Sequence, residues 1–543
     1  MNNFSPDSTV SQTDNNKMIR TICEQICAGV NRWSAVFIIN MVAACAAYSL
    51  LLTNQLVNQL DGMWHGSVSY ANGHELSNGR WFWRFIDRAR QYLSPDPVTS
   101  VISVALFTLS VILILDIFEV KSKLASYLAS LLFTINVSVL VSLSYRYMSP
   151  TFSLSCFLSV LAAYITIKVQ KKLPAISLGA ICIALMLGLY QANIGVICLI
   201  FLLYTSLLLY RETGYKELAF LILRFIAVIL AGFILYFILL NINLVYYEVQ
   251  MSDYNGADSY GPLGALLNLP GSFLHTYGDF INYYRNDGIR STVFPGKFYV
   301  LIYFMLGIHF FIAAVSLFKK SRLRAVLFCL SFCLIPAAAN SVLMAAYGSF
   351  TSIQMTVPMS LCIPVLIGLA SELPLERTRL SLVYRSVTAV LLSLLIYGNY
   401  LMTIYDQQAM YMGMKSLKKL SADVTAALQM YNYYHPYYQF VFVGRPSDNP
   451  LFVKNFVFEK ANEYACMGSW DPEDLRWVVQ SWQGFFTHEA GTNLYIADDE
   501  KLEEALLDET VRAMPVFPEY GSIAMVNDVV VVKLSDDYSY EEE

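Results

Sequence analysis

One acid and a set of arginines raise the question of what chemistry this chain can do. Asp61 stands where the first long apolar run ends, in the stretch DGMWHGSVSYANGHELSNGRWFWRFIDRARQYL that fills 61–93. A carboxylate at the mouth of a helix can take a proton from a hydroxyl group, and arginines beside it can hold a phosphate through charge-assisted hydrogen bonds. Arg80, Arg84 and Arg88 recur at i, i+4 and i+8, interleaved with Trp81, Phe82, Phe85, Ile86, Ala89 and Leu93 at helical spacing. That spacing predicts a helix capped by Asn78, with a cationic stripe beside a lipid-facing one. Arginines that only meet lipid headgroups explain the stripe as well as specific binding of a substrate phosphate does.

Other polar residues join the set with weaker signals. Trp64 and His65 follow Asp61 at once and suit contact with a sugar. Arg146, in SLSYRYMSPT, is a second phosphate contact or a snorkelling headgroup partner. Gln191, in LGLYQANIG, sits at a helix end, and Arg285 lies in a long polar stretch. Asn340, within an apolar run, suits helix-to-helix hydrogen bonding.

The elements that must position these residues are apolar. Of 543 residues 56% are hydrophobic and only 14% charged, and the mean hydropathy is +0.48. This excludes an ordinary water-soluble enzyme and predicts an α-helical polytopic membrane protein. At about 20 residues per span, apolar runs near 34–57, 98–118, 124–144, 151–167, 173–189, 192–210, 217–244, 297–318, 324–346, 350–371 and 382–404 give about eleven transmembrane helices. Only Tyr190, Gln191 and Asn193 separate the fifth run from the sixth.

Lys and Arg accumulate in short cytoplasmic loops. Here Lys17, Arg20, Arg32, Lys121, Lys123, Lys168, Lys171, Lys172, Arg211, Lys216, Lys319, Lys320, Arg322, Arg324, Arg377, Arg379 and Arg385 fall at alternate loops. The N-terminal segment 1–33 is then cytoplasmic, and the outer loops 58–97 and 245–296, the Tyr145–Pro150 turn and the tail face outward. Arg80, Arg84, Arg88 and Arg90 are on the side where the rule does not place them, so an anionic partner is expected there.

The net charge of −5 is unevenly spread: from Tyr405 onward there are 10 Lys and Arg against 23 Asp and Glu. That acidic tail, 405–543, carries both helical and strand patterns. GMKSLKKLSADVTAALQMY and DDEKLEEALLDET read as helices, QFVFVG as a strand, and IAMV and VVVVKL as a hairpin about Asn527-Asp528. It is expected to be a small extracytoplasmic α/β domain, with no nucleic acid as partner. The 245–296 loop, rich in Tyr, Gly and Asp, shows no sustained period and reads as a lid or binding loop. Nearly all of the ten cysteines sit in or beside apolar runs, and no Cys/His spacing suggests a metal.

Asp61 after the first run, the NGRWFWRF stretch, the YQAN link and an outward α/β tail together resemble the GtrII-type membrane glucosyltransferases, within the GT-C fold class. The resemblance implies a transmembrane glycosyltransferase domain over 34–404. It would take a sugar, glucose by expectation, from a polyprenyl phosphate and pass it to a surface polysaccharide or glycolipid acceptor. The site would lie on the outer face of a bacterial cytoplasmic membrane. Asp61 would be the general base, Arg80, Arg84 and Arg146 would stabilise the leaving phosphate, and neither metal nor cofactor would be needed. Inversion at the anomeric carbon is implied by the fold class. A donor-synthesising glycosyltransferase and a small flippase would be partners. Gly62, where relatives often carry a second acid, departs from the pattern. Two other classes stay open: a transporter or flippase for a lipid-linked glycan, which should show internal repeats, and a scaffold subunit of a surface-polymer assembly complex.

Overall fold

The computed structural model describes residues 29, 31–58, 63, 73–252, 269–285, 297–345, 353–373, 375, 378–454, 456–457 and 481–536. Among the described residues, each apolar run predicted above falls largely on helix. Among the described residues seven helices are long and apolar enough to cross a membrane: Val98–Ile117, Ser149–Lys168, Gln191–Tyr210, Tyr215–Tyr247, Phe298–Lys320, Ile353–Glu372 and Arg379–Met430. An eighth is a pair, Lys123–Thr134 and Val137–Ser144, bent by 44°. The bend has a local cause. The Tyr48 hydroxyl enters the break, donating to the Thr134 carbonyl at 2.8 Å and accepting from the Asn136 amide at 3.1 Å, while the Asn136 side chain caps the second helix.

The remaining runs form shorter pieces. Asn31–Ala47 and Lys172–Leu187 are apolar helices below full span length, and 322–345 is divided into Arg322–Cys333, Ile335–Ala339 and Ser341–Ala345. Pro336, one residue into the second piece, cannot donate the backbone hydrogen bond that would continue the first. Asn340 donates to the Asp279 carboxylate at 2.7 Å on a neighbouring helix, the interhelical role expected of it.

The predicted basic loops meet at one end of the bundle, tied by ion pairs to acids at other helix ends. Arg32 pairs with Asp116, Lys168 and Arg211 with Glu119, Arg211 also with Glu372, and Lys320 with Glu212. Chain segments expected on the opposite side meet at the other end. The Asn58 amide donates to the Ser144 carbonyl, Gln55 to the Asp96 carbonyl, Phe82 to Gly188 and the Arg90 guanidinium to Tyr147.

Two expectations change. The 245–296 stretch contains a helix, Leu269–Arg285. Ser272, Thr276, Phe280, Tyr283 and Tyr284 form its buried face at helical spacing; because Ser and Thr are two of those five, a hydropathy period misses it. The last apolar run and the first helix of the tail are one element, Arg379–Met430, of 52 residues and about 78 Å. It begins in a capping box between Thr378 and Ser381 and runs unbroken across 404–405.

Its C-terminal half packs the tail. Ala409, Met414, Leu417, Leu420, Val424 and Leu428 share a core with a four-stranded sheet in the order β2-β1-β4-β3. Here β1 is Gln439–Val443, β2 Tyr495–Ile496, β3 Ile523–Val526 and β4 Val529–Lys533. β1 runs parallel to both β2 and β4, and β3 pairs antiparallel with β4 in the register Val526↔Val529. Asn527 and Asp528 both take positive φ, as a two-residue hairpin turn requires.

Candidate functional site

The end of the bundle opposite the basic loops carries the arginines picked out in the sequence. Asp61, Trp64 and His65 lie outside the described residues. Val57 and Met63, on either side of Asp61 in the chain, are buried at 0% and 1% in the core shared by the long helix and the tail.

The arginine helix is shorter than its spacing suggests. It runs Trp83–Ala89, begins after Phe82 without a side-chain cap, and follows a separate short helix, Gly73–Ser77. Asn78 is therefore not its N-cap, and Arg80 precedes it. Hydrogen bonds from elsewhere hold the backbone just before it: Gln191 donates to the Asn78 carbonyl at 2.8 Å, Tyr236 to the Gly79 carbonyl at 3.1 Å, and Phe82 to the Gly188 carbonyl at 2.8 Å. Gly79 sits at φ +80°, and a Cβ there would run into the Tyr236 hydroxyl and the Gln191 amide. Only glycine meets both demands without strain.

The cationic stripe consequently divides. Arg80 lies with its guanidinium 5.8 Å from the centre of the Trp83 ring and 5.5 Å from that of Tyr190, and its Nε is buried without a hydrogen-bond partner. Arg84 lies 3.6 Å from the Tyr247 ring, and Arg88 is exposed beside Tyr247 and Tyr92. A guanidinium over an aromatic face gains about 0.5–2 kcal/mol, and the Arg80 Nε is still without a partner there. The apolar stripe divides too: Trp81 is buried while Phe85 and Leu93 are exposed.

Arg146 is brought to the same region across 66 residues of chain. Trp83 stacks on Tyr147 at 6.2 Å, and Trp83, Tyr147, Met148, Phe152, Tyr190 and Ala192 form one aromatic cluster. Arg90 clamps its edge, binding the buried Asp87 carboxylate at 2.7 Å and the Tyr147 carbonyl at 2.7 Å. Arg80 and Arg146 thus lie on elements joined by one apolar unit. Arg146 itself is buried and pairs with Glu489 of the tail at 3.3 Å, while Lys418 on the long helix holds the other Glu489 oxygen at 3.2 Å. Arg285 stands exposed at the C-terminal end of Leu269–Arg285, whose helix packs against 297–320 and 335–345.

Three residues that matter here were not singled out in the sequence. Glu489 gave no signal because folding supplies its partner, whereas Asp87 stands three residues before its partner Arg90, a spacing the sequence carries as an i,i+3 pair. Asp96 is the third. It is buried just before Val98–Ile117; its Oδ1 accepts from the Ser100 amide and hydroxyl, and its Oδ2 is buried without a partner. Burial pushes its carboxyl above the usual Asp range, opposed in part by the Ser100 hydrogen bonds and by Arg146. The Asp96-Pro97 dipeptide before an apolar run was the only available hint.

Among the described residues no group of three or more His, Cys, Asp and Glu side chains could hold a metal ion. A cavity of about 470 Å³ lies at the other end of the bundle, lined by Leu128, Leu306, His309, Leu373, Tyr384 and Arg385 among others. It is remote from the arginines, and their convergence with aromatic rings is the better guide to phosphate or sugar chemistry.

A model of the Glucosyl transferase GtrII family matches residues 65–363, more than half of the chain. The matched segment contains Arg80, Arg84, Arg88, Arg146, Gln191 and Arg285; it begins four residues after Asp61 and ends before the tail. No curated protein and no solved structure matches the chain.

Proposed function

We propose, for a chain that belongs to the Glucosyl transferase GtrII family, that it transfers glucose from a polyprenyl phosphate to a cell-surface glycan on the outer face of a bacterial cytoplasmic membrane. In this reading the chain crosses about eleven times, with the N-terminus and the basic loops in the cytoplasm and the tail outside. The acceptor hydroxyl gives its proton to Asp61 as its oxygen bonds to the anomeric carbon. The bond from that carbon to the phosphate oxygen breaks on the opposite face, with inversion, and polyprenyl phosphate leaves carrying the electron pair. Arg80, with Arg84 and Arg146, stabilises the charge that grows on the phosphate, so neither metal nor cofactor takes part.

The observation that carries this reading is the placement of Arg80. Its turn is pinned by Gln191 and Tyr236, its guanidinium is flanked by Trp83 and Tyr190, and its Nε is left without a partner. A cation held in advance at the end away from the basic loops is what a leaving phosphate needs. Trp64, His65, Arg88 and Arg285 complete the substrate contacts in this reading. A donor-synthesising glycosyltransferase and a small flippase supply the lipid-linked sugar.

The test is transfer by purified protein in lipid nanodiscs, with polyprenyl-phosphate glucose as donor and a surface glycan as acceptor. Donor consumption that depends on acceptor is expected. Asp61→Asn should lower turnover by at least about 100-fold, and transfer at the normal rate would remove Asp61 from its role. Movement of intact lipid-linked sugar across the bilayer without hydrolysis or transfer would instead favour a flippase.

A further inference from the structure

The contact between Arg146 and Glu489 joins the helical bundle to the tail, and its geometry is incomplete. Arg146 has 5% of its side chain exposed, yet it binds Glu489 through Nη2 alone, at 3.3 Å, and its Nε is buried with no partner. A guanidinium normally meets a carboxylate through two parallel N–H donors. Here the second carboxylate oxygen is drawn away to Lys418, 3.2 Å off. One edge of a buried guanidinium is left half used.

Glu489 is presented rigidly. It lies in the π-helical turn Phe486–Ala490, and Phe486 is fully buried, stacked 5.2 Å from both Phe442 and Trp482 in the tail core. Arg146 precedes Ser149–Lys168 in a turn fixed by Arg90 and Trp83. A carboxylate has two oxygens in one plane, whereas a phosphate ester presents at least two free oxygens to the Nε–Nη2 edge while a third carries its substituent. The edge fits a phosphate more completely than it fits Glu489 as Lys418 holds it.

We infer that Glu489 is a stand-in for a phosphate, and that the Arg146 edge is a phosphate seat which the tail domain occupies until a phosphate-bearing ligand displaces it. The inference rests on the reading of a lipid-phosphate donor and adds that the tail competes with that donor. Binding then releases the Phe486–Ala490 turn from the bundle, and loss of the phosphate product lets Glu489 return. The tail is in this way coupled to occupancy of the donor site.

The experiment is hydrogen exchange on the full-length protein in nanodiscs, read at the amides of 486–490. A polyprenyl phosphate should lower their protection. Inorganic phosphate at the same concentration separates a lipid-borne from a free phosphate as the occupant. Arg146→Gln should show low protection with or without either probe. In transfer assays Glu489→Gln should lower the donor KM several-fold, whereas Lys418→Gln, which frees the second Glu489 oxygen for Arg146, should raise it. The double variant Arg146→Gln/Glu489→Gln should behave as Arg146→Gln alone. Protection unchanged by both probes, or a donor KM unchanged or raised in Glu489→Gln, overturns the inference. Exchange needs no turnover, so loss of protection without sugar transfer would sink the transferase reading and leave the seat in place. Normal transfer with unchanged exchange would do the reverse.

Discussion

Gln191 donates a hydrogen bond from its side-chain amide to the main-chain carbonyl of Asn78, across 113 residues of sequence and at 2.8 Å. This bond, with that of Tyr236 to Gly79, fixes the turn that carries Arg80. The amide thus acts on the arginine's backbone, and its role in the proposed site is positioning.

Gln191→Leu removes the donor and keeps the volume. A neutral hydrogen bond is worth about 0.5–1.5 kcal/mol net, so a loss of about 2- to 10-fold in donor kcat/KM is expected, with little change in thermal midpoint. A loss matching that of Arg80→Gln would mean that Gln191 touches the substrate itself.

Gly79→Ala meets both a positive φ and crowding by the Tyr236 hydroxyl. The backbone strain alone costs about 1 kcal/mol or more, and the contact adds to it. Activity should fall sharply, and Tyr236→Phe, which removes the crowding oxygen, should restore part of it in the double variant. Equal activity of Gly79→Ala with and without Tyr236→Phe would show that the turn accommodates the methyl by another movement.

Asp96 predicts a pH dependence. Its folded carboxyl is raised, so the folded state binds more protons than the unfolded chain between the raised value and the usual Asp value of about 3.9. This group's penalty is complete above the raised value and shrinks as pH falls through it. Asp96→Asn should therefore raise the thermal midpoint at neutral pH, and the gap from the parent should close as pH is lowered toward 4. A gap constant with pH would mean that the carboxylate is not penalised by burial.

At the basic end, Asp116 gathers three donors: Arg32 at 3.4 Å, the Trp33 indole at 3.1 Å and the Tyr164 hydroxyl at 3.1 Å. Arg32 is 43% exposed, so Arg32→Gln should cost under about 1 kcal/mol. Asp116→Leu strands the indole and the phenol as well and should cost about 2–3 kcal/mol. Thermal melts in detergent at two salt concentrations check both, and only the Arg32 effect should shrink with salt.

The sequence by itself determined the helical runs, the strands and hairpin of the tail, the gathering of basic loops and the family resemblance. These follow from local hydropathy, from turn chemistry at Asn527-Asp528 and from charge counted over short loops, none of which needs a distant partner. It also singled out Arg80, Arg146 and Gln191, which the structure brings to one end of the bundle. What only the tertiary structure decided is what each of them meets. Arg84 and Arg88 lie on the helix at the expected spacing, but Arg80 precedes it: Gln191 and Tyr236 donate to the Asn78 and Gly79 carbonyls, Phe82 donates to the Gly188 carbonyl, and Arg80 lies by Trp83 and Tyr190, apart from Arg84 at Tyr247. The uninterrupted Arg379–Met430 helix and the pairing of Arg146 with Glu489 across 343 residues were likewise hidden. Periodicity reports which face of an element is apolar, while the partner of a buried charge is set by packing between elements far apart in the chain.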